Sequence, residues 1–169
     1  MCIRDRGGHC LPIDPFYLSW AAKRAGAETR FVELSGEINR AMPLFVADKT
    51  RSALRSIHVD LAGARVLLLG VAYKRGVGII EESPAFPLAE ALTVDGALVT
   101  YADPLVPTCP LGDSLEVTAE ALAEIDAVVI LVDQAGIDLE LVVQCNAVVV
   151  DTRAALRTQL LGSSRYFMA

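Results

Sequence analysis

Several common functional signals are scarce or missing in this sequence. The four cysteines include no CxxC pair and no spacing typical of a secreted disulfide framework, so we expect reduced thiols. The only two histidines are His9 and His58, and neither has a histidine or cysteine partner at a spacing suited to zinc. We therefore predict no metal site, with His9 shaping a loop and His58 facing solvent at a helix end.

Long hydrophobic runs are also missing. The run "AVVILV" at 127–132 is among the longest and is far too short to cross a bilayer. The start of the chain lacks the basic region followed by an apolar region that marks a secretory signal. We expect no membrane segment, no signal peptide and a cytoplasmic location.

The composition is that of a folded protein. Hydrophobic residues make up 53% of the 169 residues and charged residues 21%, which allows one domain with an appendage or two small domains. The net charge of -6 argues against nucleic acid as a partner. It does not exclude an anionic ligand, because a local group of basic side chains or a helix N-terminus can bind one.

The first part of the chain has a helical pattern. Asp14 and Pro15 are suited to a helix start, as N-cap and first helical residue, and Gly26 is suited to its end. Apolar spacing predicts a second helix over 37–57, with Pro43 either kinking it or marking its first turn. A helix of this length could serve as a spine or as a dimer surface.

From Ala64 onward, short apolar runs alternate with helical patterns. Continuous apolar runs are typical of parallel strands covered on both faces. The predicted strands are 65–71, 97–102, 127–132 and 147–151. The predicted helices lie near 84–95, 118–125, 138–144 and 154–161, with Ser83 as N-cap before Pro84 in the first. Repeated strand–helix alternation predicts an α/β fold with a doubly wound, Rossmann-like parallel sheet.

Ligands bind such sheets outside the carboxyl ends of the strands. The stretches expected at that edge are 72–83, 103–104, 133–136 and 151–153. The loop after the first strand is not a GxGxxG turn, because Gly70, Gly76 and Gly78 have the wrong spacing. A dinucleotide fingerprint is therefore missing from this predicted sheet.

The segment "GGHC" at 7–10 is a modest signal of chemistry. Its glycines would let the backbone approach a ligand closely, and His9 or the helix downstream could lower the pKa of the Cys10 thiol. Cys10 would then be a nucleophile. The alternative is a buried cysteine in a tight turn.

Six segments in order, however, resemble one family. The segments "GGHCLPIDPFYL", "EINRAMP", "VLLLGVAYK", "EESPA", "DP" and "VVDTR" are together similar to the UDP-glucose/GDP-mannose dehydrogenases. The resemblance covers residues 7–161. The form of the first segment is most similar to the branch that oxidises UDP-N-acetylglucosamine or UDP-N-acetylmannosamine.

The resemblance implies an activity and a nucleophile. Family members oxidise the C6 alcohol of a UDP-sugar to a carboxylate with NAD, through a cysteine thiohemiacetal and thioester. Cys10 matches the nucleophile, Asp14 the aspartate that assists the thiol and the water, and Gly7 the glycine loop lining the sugar pocket. The implied product is a uronate used as a polysaccharide precursor.

The resemblance also implies substrate contacts in the sheet domain. Tyr73 and Lys74 match an aromatic–lysine pair that contacts the nucleotide sugar, and Arg153 an arginine that reaches it. Without the resemblance, Lys74 would be interpreted as a solvated loop lysine and Arg153 as a surface arginine. Family members are dimers or larger through the central helix, so a homodimer is expected.

The loop after the first strand departs from the family pattern. Gly76, Gly78 and Ile79 stand where acidic residues are usual, and Glu81 stands where relatives have an arginine that contacts NAD. A carboxylate there reverses the electrostatic sign toward a pyrophosphate. Arg75 is the nearby candidate to compensate.

The predicted organisation has three parts. Residues 1–6 match nothing in the family and are expected to be a non-native leader, 7–60 to hold the cysteine loop and dimerisation helices, and 61–169 to be the UDP-binding domain. The NAD-binding half of the family is not matched, so this chain alone is expected to be inactive. Two alternatives are a stand-alone UDP-sugar-binding module without redox chemistry and a helical spine that only mediates dimerisation.

Overall fold

The computed structural model describes the backbone of residues 14–169 and the side chains from Pro15 onward. Gly7, His9, Cys10 and the leader at 1–6 lie outside the described residues, as does the side chain of Asp14. The described part consists of two helices followed by a region in which strands and helices alternate.

Helix α1 spans Asp14–Arg24 and helix α2 spans Arg30–Ser56. The first begins where Asp14 and Pro15 predicted it, and Gly26 follows its end with φ of +76°, a conformation that glycine adopts without strain. The two helices pack through Phe16 and Gly36, since a Cβ at Gly36 would lie 2.4 Å from the Phe16 ring. A glycine is needed at this contact.

The predicted start of α2 at residue 37 is wrong. The helix begins at Arg30 and continues to Ser56 with Pro43 in its interior, so Pro43 does not mark a first turn. Ser35 and Gly36 are poor helix formers and hid the first turns from the sequence pattern, whereas packing of Phe16 on Gly36 supports them. Pro43 is buried, and this packing offsets the backbone hydrogen bond that proline cannot donate.

The main sheet has five strands, all paired in parallel, in the order β2-β1-β5-β6-β7. A separate antiparallel pair, β3 and β4, lies between β2 and β5 in the chain. The strands are β1 Arg65–Leu69, β2 Leu98–Ala102, β3 Thr108–Cys109, β4 Gly112–Asp113, β5 Ala127–Ile130, β6 Val148–Asp151 and β7 Tyr166–Met168. The α/β fold with a parallel sheet is therefore confirmed.

Sequence reasoning missed β7 at the edge of the sheet. This strand has three residues, and none of them is fully buried, so it lacks the continuous apolar run that marked the others. It pairs with β6 through Tyr166, Phe167 and Met168. A short edge strand of this kind is specified by its pairing partner more than by its own sequence.

Both faces of the sheet are covered. Residues alternate along β1, so that Val66 and Leu68 join one core cluster while Leu67 and Leu69 join the other. The remaining helices are α3 Ala85–Val94, α4 Ala119–Ala123, α5 Leu139–Gln144 and α6 Arg157–Leu160. Side chains of α2 and α3 pack in the first cluster and side chains of α4, α5 and α6 in the second, which confirms a doubly wound sheet.

Candidate nucleotide-binding edge of the sheet

The carboxyl ends of β1 and β5 lie side by side at the centre of the sheet. The chain proceeds from β1 to the strand on one side and later returns to the other side, so this is the topological switch point. Ligands of doubly wound sheets bind in the crevice at such a point. The residues after β1 and β5 therefore define the candidate site.

Gly70 brings these two ends into contact. Its φ is +77°, and a Cβ there would lie 2.1 Å from the carbonyl oxygen of Val132. The amide of Gly70 donates to the carbonyl of Ala102 at 2.9 Å, which also fixes the turn to the end of β2. The turn after β1 is thus built around a glycine for close backbone approach.

Asp103 supports the same turn from the end of β2. Its side chain is buried, and Oδ2 accepts hydrogen bonds from the amides of Val71 at 2.9 Å and Ala72 at 3.0 Å. Oδ1 accepts from the amide of Leu105 at 3.0 Å. The carboxylate expected at the binding edge therefore holds backbone in this structure.

Replacing Asp103 by asparagine should lower the free energy of unfolding by about 2 kcal/mol. The carboxamide has only one acceptor oxygen. Its NH₂ group would therefore lie against a backbone N–H that donates to a carboxylate oxygen in the unchanged protein. Urea unfolding checks this, with Asp113→Asn as the control, because Asp113 is exposed and accepts from the Thr108 hydroxyl. Equal losses in the two variants would contradict the structural role of Asp103.

Ser83 links the far end of the loop to β1. Its hydroxyl donates to the carbonyl of Val71 at 2.6 Å and accepts from the amide of Ala85 at 3.3 Å. The second contact reaches the first amide of α3, but the N-cap of this helix is Pro84 and has no side-chain capping bond, so the prediction of Ser83 as N-cap is wrong by one residue. The loop that leaves Val71 returns to it at Ser83.

Tyr73 and Lys74 follow this turn directly. Tyr73 is half-buried, and its amide donates to the carbonyl of Ile79 at 3.0 Å. Lys74 is exposed, and its Nζ lies 5.2 Å from the centre of the Tyr73 ring, a cation–π distance. The structure thus brings together the aromatic and basic side chains that the sequence predicted.

Asp133 joins two arginines at this edge. Its Oδ2 lies 3.3 Å from Arg75 Nη1 and its Oδ1 lies 3.5 Å from Arg153 Nε. The side chain of Arg153 is only 19% exposed, and its amide donates to Asp151 Oδ1 at 2.9 Å. Lys74, Arg75 and Arg153 therefore place three cationic groups where the strands end, and such a group can bind an anion.

Sequence reasoning did not single out Gln134. Its side chain is buried, Oε1 accepts from the amide of Gly76 at 2.8 Å, and Nε2 donates to the carbonyls of Lys74 at 3.3 Å and Val77 at 3.2 Å. The available signal was a polar amide directly after the apolar run of β5. Its partners lie more than fifty residues earlier in the chain, so no local pattern reveals them.

The structure explains why positions 76 and 78 of this loop are glycines. Gly76 has φ of +81°, and a Cβ at Gly78 would lie 2.2 Å from the carbonyl oxygen of Leu105. An acidic side chain at 78 would require the backbone to move. Ile79 and Glu81, the other two departures from the family pattern, are both exposed.

Asp151, at the end of β6, stabilises the fold by accepting hydrogen bonds. Its Oδ2 accepts from the amide of Leu156 and from the Tyr166 hydroxyl, each at 2.9 Å. Burial raises the pKa of Tyr166, and the hydrogen bond to Asp151 raises that pKa further, so the phenol stays neutral and keeps its proton to donate. Tyr166 was not identified from the sequence.

A cavity of about 520 Å³ lies next to this edge. Its lining includes Pro43 and Val46 of α2, Pro84 and Phe86 at the start of α3, and Leu131 after β5. The lining is mainly apolar, so the cavity suits an apolar or aromatic group.

None of the helices between residues 14 and 169 combines the length and the apolar character needed to cross a membrane. In the same range, no group of three or more His, Cys, Asp or Glu side chains could hold a metal ion. His58 is exposed after the end of α2, as its position in the sequence predicted.

Known proteins with similar sequences share this region. Residues 67–158 match the UDP-glucose/GDP-mannose dehydrogenase family, UDP binding domain. The chain is 32% identical to a UDP-glucose 6-dehydrogenase of Haloferax volcanii, over 87% of this chain and 35% of that protein. It is 35% identical to a UDP-N-acetyl-D-mannosamine dehydrogenase of Pyrococcus horikoshii, over 75% of this chain and 28% of that protein. The chain thus spans about a third of the length of these curated relatives.

Solved structures agree with the fold. A structure of UDP-D-ManNAc dehydrogenase from Pyrococcus horikoshii superposes with a TM-score of 0.72 at 27% identity, covering 86% of this chain and 34% of that one. An NDP-N-acetyl-D-galactosaminuronic acid dehydrogenase structure from Methanosarcina mazei gives 0.79 at 22% identity, covering 98% and 38%. With the match over 67–158, these findings place the chain in the UDP-glucose/GDP-mannose dehydrogenase family.

Proposed function

We propose that this chain is the UDP-sugar-binding part of an NAD-dependent nucleotide-sugar 6-dehydrogenase that makes a uronate for polysaccharide synthesis. The observation that carries the proposal is that Asp133 brings Arg75 and Arg153 together at the carboxyl edge of a sheet that matches a UDP-binding domain, with Lys74 next to Arg75 in the same loop. The form of the "GGHC" segment and the similarity to UDP-N-acetyl-D-mannosamine dehydrogenases support a UDP-N-acetylhexosamine as substrate.

The lysine and the two arginines have different roles in binding. Lys74 acts as a point charge on the diphosphate, while the planar guanidinium groups of Arg75 and Arg153 donate hydrogen bonds to its oxygens. Tyr73 contacts the nucleotide sugar. Asp133 keeps the two arginines near each other, which lowers the cost of assembling the site around an anion.

We assign the chemistry to residues at the start of the chain. Cys10 is the proposed nucleophile toward the sugar C6 carbonyl, Gly7 lines the sugar pocket, and Asp14 assists the thiol and the hydrolytic water. Asp14 is the first residue of α1, so the cysteine segment leads directly into this helix. The retention of Cys10 and Asp14 supports an enzyme over a pure binding module.

The described residues do not fit NAD. The turn after β1 has no dinucleotide fingerprint, and the exposed carboxylates of Glu81 and Glu82 stand just before α3, where they would repel a pyrophosphate. We propose that NAD is bound by a part of the enzyme other than these residues.

We also propose a homodimer through the central helices. Large apolar side chains are exposed on α1 and α2, among them Phe31 at 83% and Tyr17 at 71%. Others on these helices are Leu18, Trp20, Leu34, Ile38 and Leu44. An exposed apolar surface on neighbouring helices is suited to burial against a second copy.

Titration calorimetry of the 169-residue chain with UDP, and with uridine as the control, tests the binding function. We expect UDP to bind at one site and uridine to bind more weakly, because uridine lacks the charged groups that meet the three basic side chains. No heat of binding at millimolar UDP, or equal affinity for both ligands, would contradict the proposal.

Iodoacetamide labelling separates an enzyme from a binding module. We expect the Cys10 thiol to react with a pKa below about 8.5, the ordinary value for cysteine, because an active nucleophile needs thiolate near neutral pH. Mass spectrometry of labelled peptides across pH measures this, with Cys109 and Cys145 as internal references. A Cys10 that labels like an ordinary thiol would favour the module without redox chemistry.

A further inference from the structure

The side chain of Gln134 closes the loop that carries Lys74 and Arg75. One carboxamide accepts from the amide of Gly76 at 2.8 Å and donates to the carbonyls of Lys74 at 3.3 Å and Val77 at 3.2 Å. Gln134 is only 3% exposed, whereas Lys74 and Gly76 in the loop are exposed. The backbone of 74–77 is therefore held by a side chain from the end of β5.

Only a carboxamide fits this position. One oxygen must accept from a backbone amide while one nitrogen donates both of its hydrogens to two carbonyls. A carboxylate would place a second oxygen against the carbonyls of Lys74 and Val77. A hydrocarbon of the same size would remove the hydrogen-bond partner of three backbone groups in the loop, which is costly.

Asp133, the residue before Gln134, pairs with the side chain of Arg75 in the same loop. Asp133 lies 3.3 Å from Arg75 and 3.5 Å from Arg153, while Gln134 holds the backbone on either side of Arg75. The dipeptide after β5 thus orders both the backbone and the basic groups at the switch point. Ordering of this kind before binding reduces the entropy lost when a ligand binds.

We propose that Gln134 is a positioning residue for nucleotide-sugar binding, acting through the 74–77 loop on Lys74 and Arg75. This inference rests on the proposed function, since it assumes that these basic groups meet the diphosphate. It assigns Gln134 no contact with the ligand. Loss of its hydrogen bonds should therefore weaken binding in protein that is still folded.

The test is the Gln134→Glu variant of the full chain, titrated with UDP-N-acetylglucosamine between pH 8 and pH 5. At pH 8 we expect affinity at least tenfold below that of the unchanged chain. At pH 5 we expect partial recovery, because a protonated carboxyl can accept from Gly76 and donate to one carbonyl. The charged groups facing this loop are Lys74, Arg75, Asp133 and Arg153, and the ratio of variant to unchanged chain removes their contribution, since both proteins contain them.

A matched control separates positioning from stability. Tyr101 is fully buried, and its hydroxyl donates to the carbonyls of Val106 and Gly112, away from the loop, so Tyr101→Phe should lower stability and leave affinity unchanged. The same affinity in Gln134→Glu and the unchanged chain, or equal weakening by both variants, would overturn the inference alone. Failure of the unchanged chain to bind would overturn the proposed function and this inference with it.

Discussion

Replacing Gly70 by alanine is expected to lower the free energy of unfolding by about 4 kcal/mol. The φ of +77° costs an alanine about 1–2 kcal/mol. In addition, the new Cβ would lie 2.1 Å from the carbonyl oxygen of Val132, so β1 and β5 would have to separate where they meet, which adds roughly 1–3 kcal/mol. Urea unfolding of both proteins measures the difference.

Gly63→Ala is the matched control for this effect. Gly63 has φ of +82°, but no atom lies within 4 Å of the position of its Cβ, so only the backbone strain of about 1–2 kcal/mol is expected. UDP binding should persist in Gly63→Ala and fall sharply in Gly70→Ala, because the second change moves the ends of the strands that carry the site. Equal stability losses would show that the contact with Val132 is not tight.

The second large effect is expected from Lys74→Met, which keeps the length of the side chain and removes its charge. A hydrogen bond to a charged group contributes about 1.5–3 kcal/mol, so UDP affinity should fall roughly tenfold to a hundredfold. Lys74 is exposed, and the variant should therefore fold normally. Calorimetry at low ionic strength gives the largest difference, because salt screens an exposed charge.

Lys49→Met controls for net charge alone. Lys49 also lies over an aromatic ring, with its Nζ 5.6 Å from the centre of the Phe45 ring, but it is on α2. Its removal should leave UDP affinity within experimental error. If both variants weakened UDP equally, general electrostatic attraction would explain binding and the assigned role of Lys74 would be wrong.

Local patterns predicted most of the fold. The apolar runs that became β1, β5 and β6 are continuous because both faces of the sheet are covered there. At the edge of the sheet, β2 leaves Leu98 and Thr100 exposed. Gly26 was identified because a left-handed turn restricts residue type at a single position. Such features depend on neighbouring residues and can be recognised in sequence.

Features that depend on distant contacts were not predictable. The first turns of α2 depend on Phe16 packing against Gly36, and β7 depends on pairing with β6. The same holds for the site, since Tyr73, Lys74 and Arg153 came from the family resemblance. Asp133 and Gln134 gain meaning only when the fold brings them to the loop after β1.

Amide chemical-shift mapping of the chain with UDP tests the central claim most directly. If the switch point binds the diphosphate, shifts should cluster at residues 73–78, at Asp133 and Gln134, and at Arg153, and should saturate with a single affinity. Shifts confined to surfaces that do not include these residues, or no saturable shifts at millimolar UDP, would contradict it.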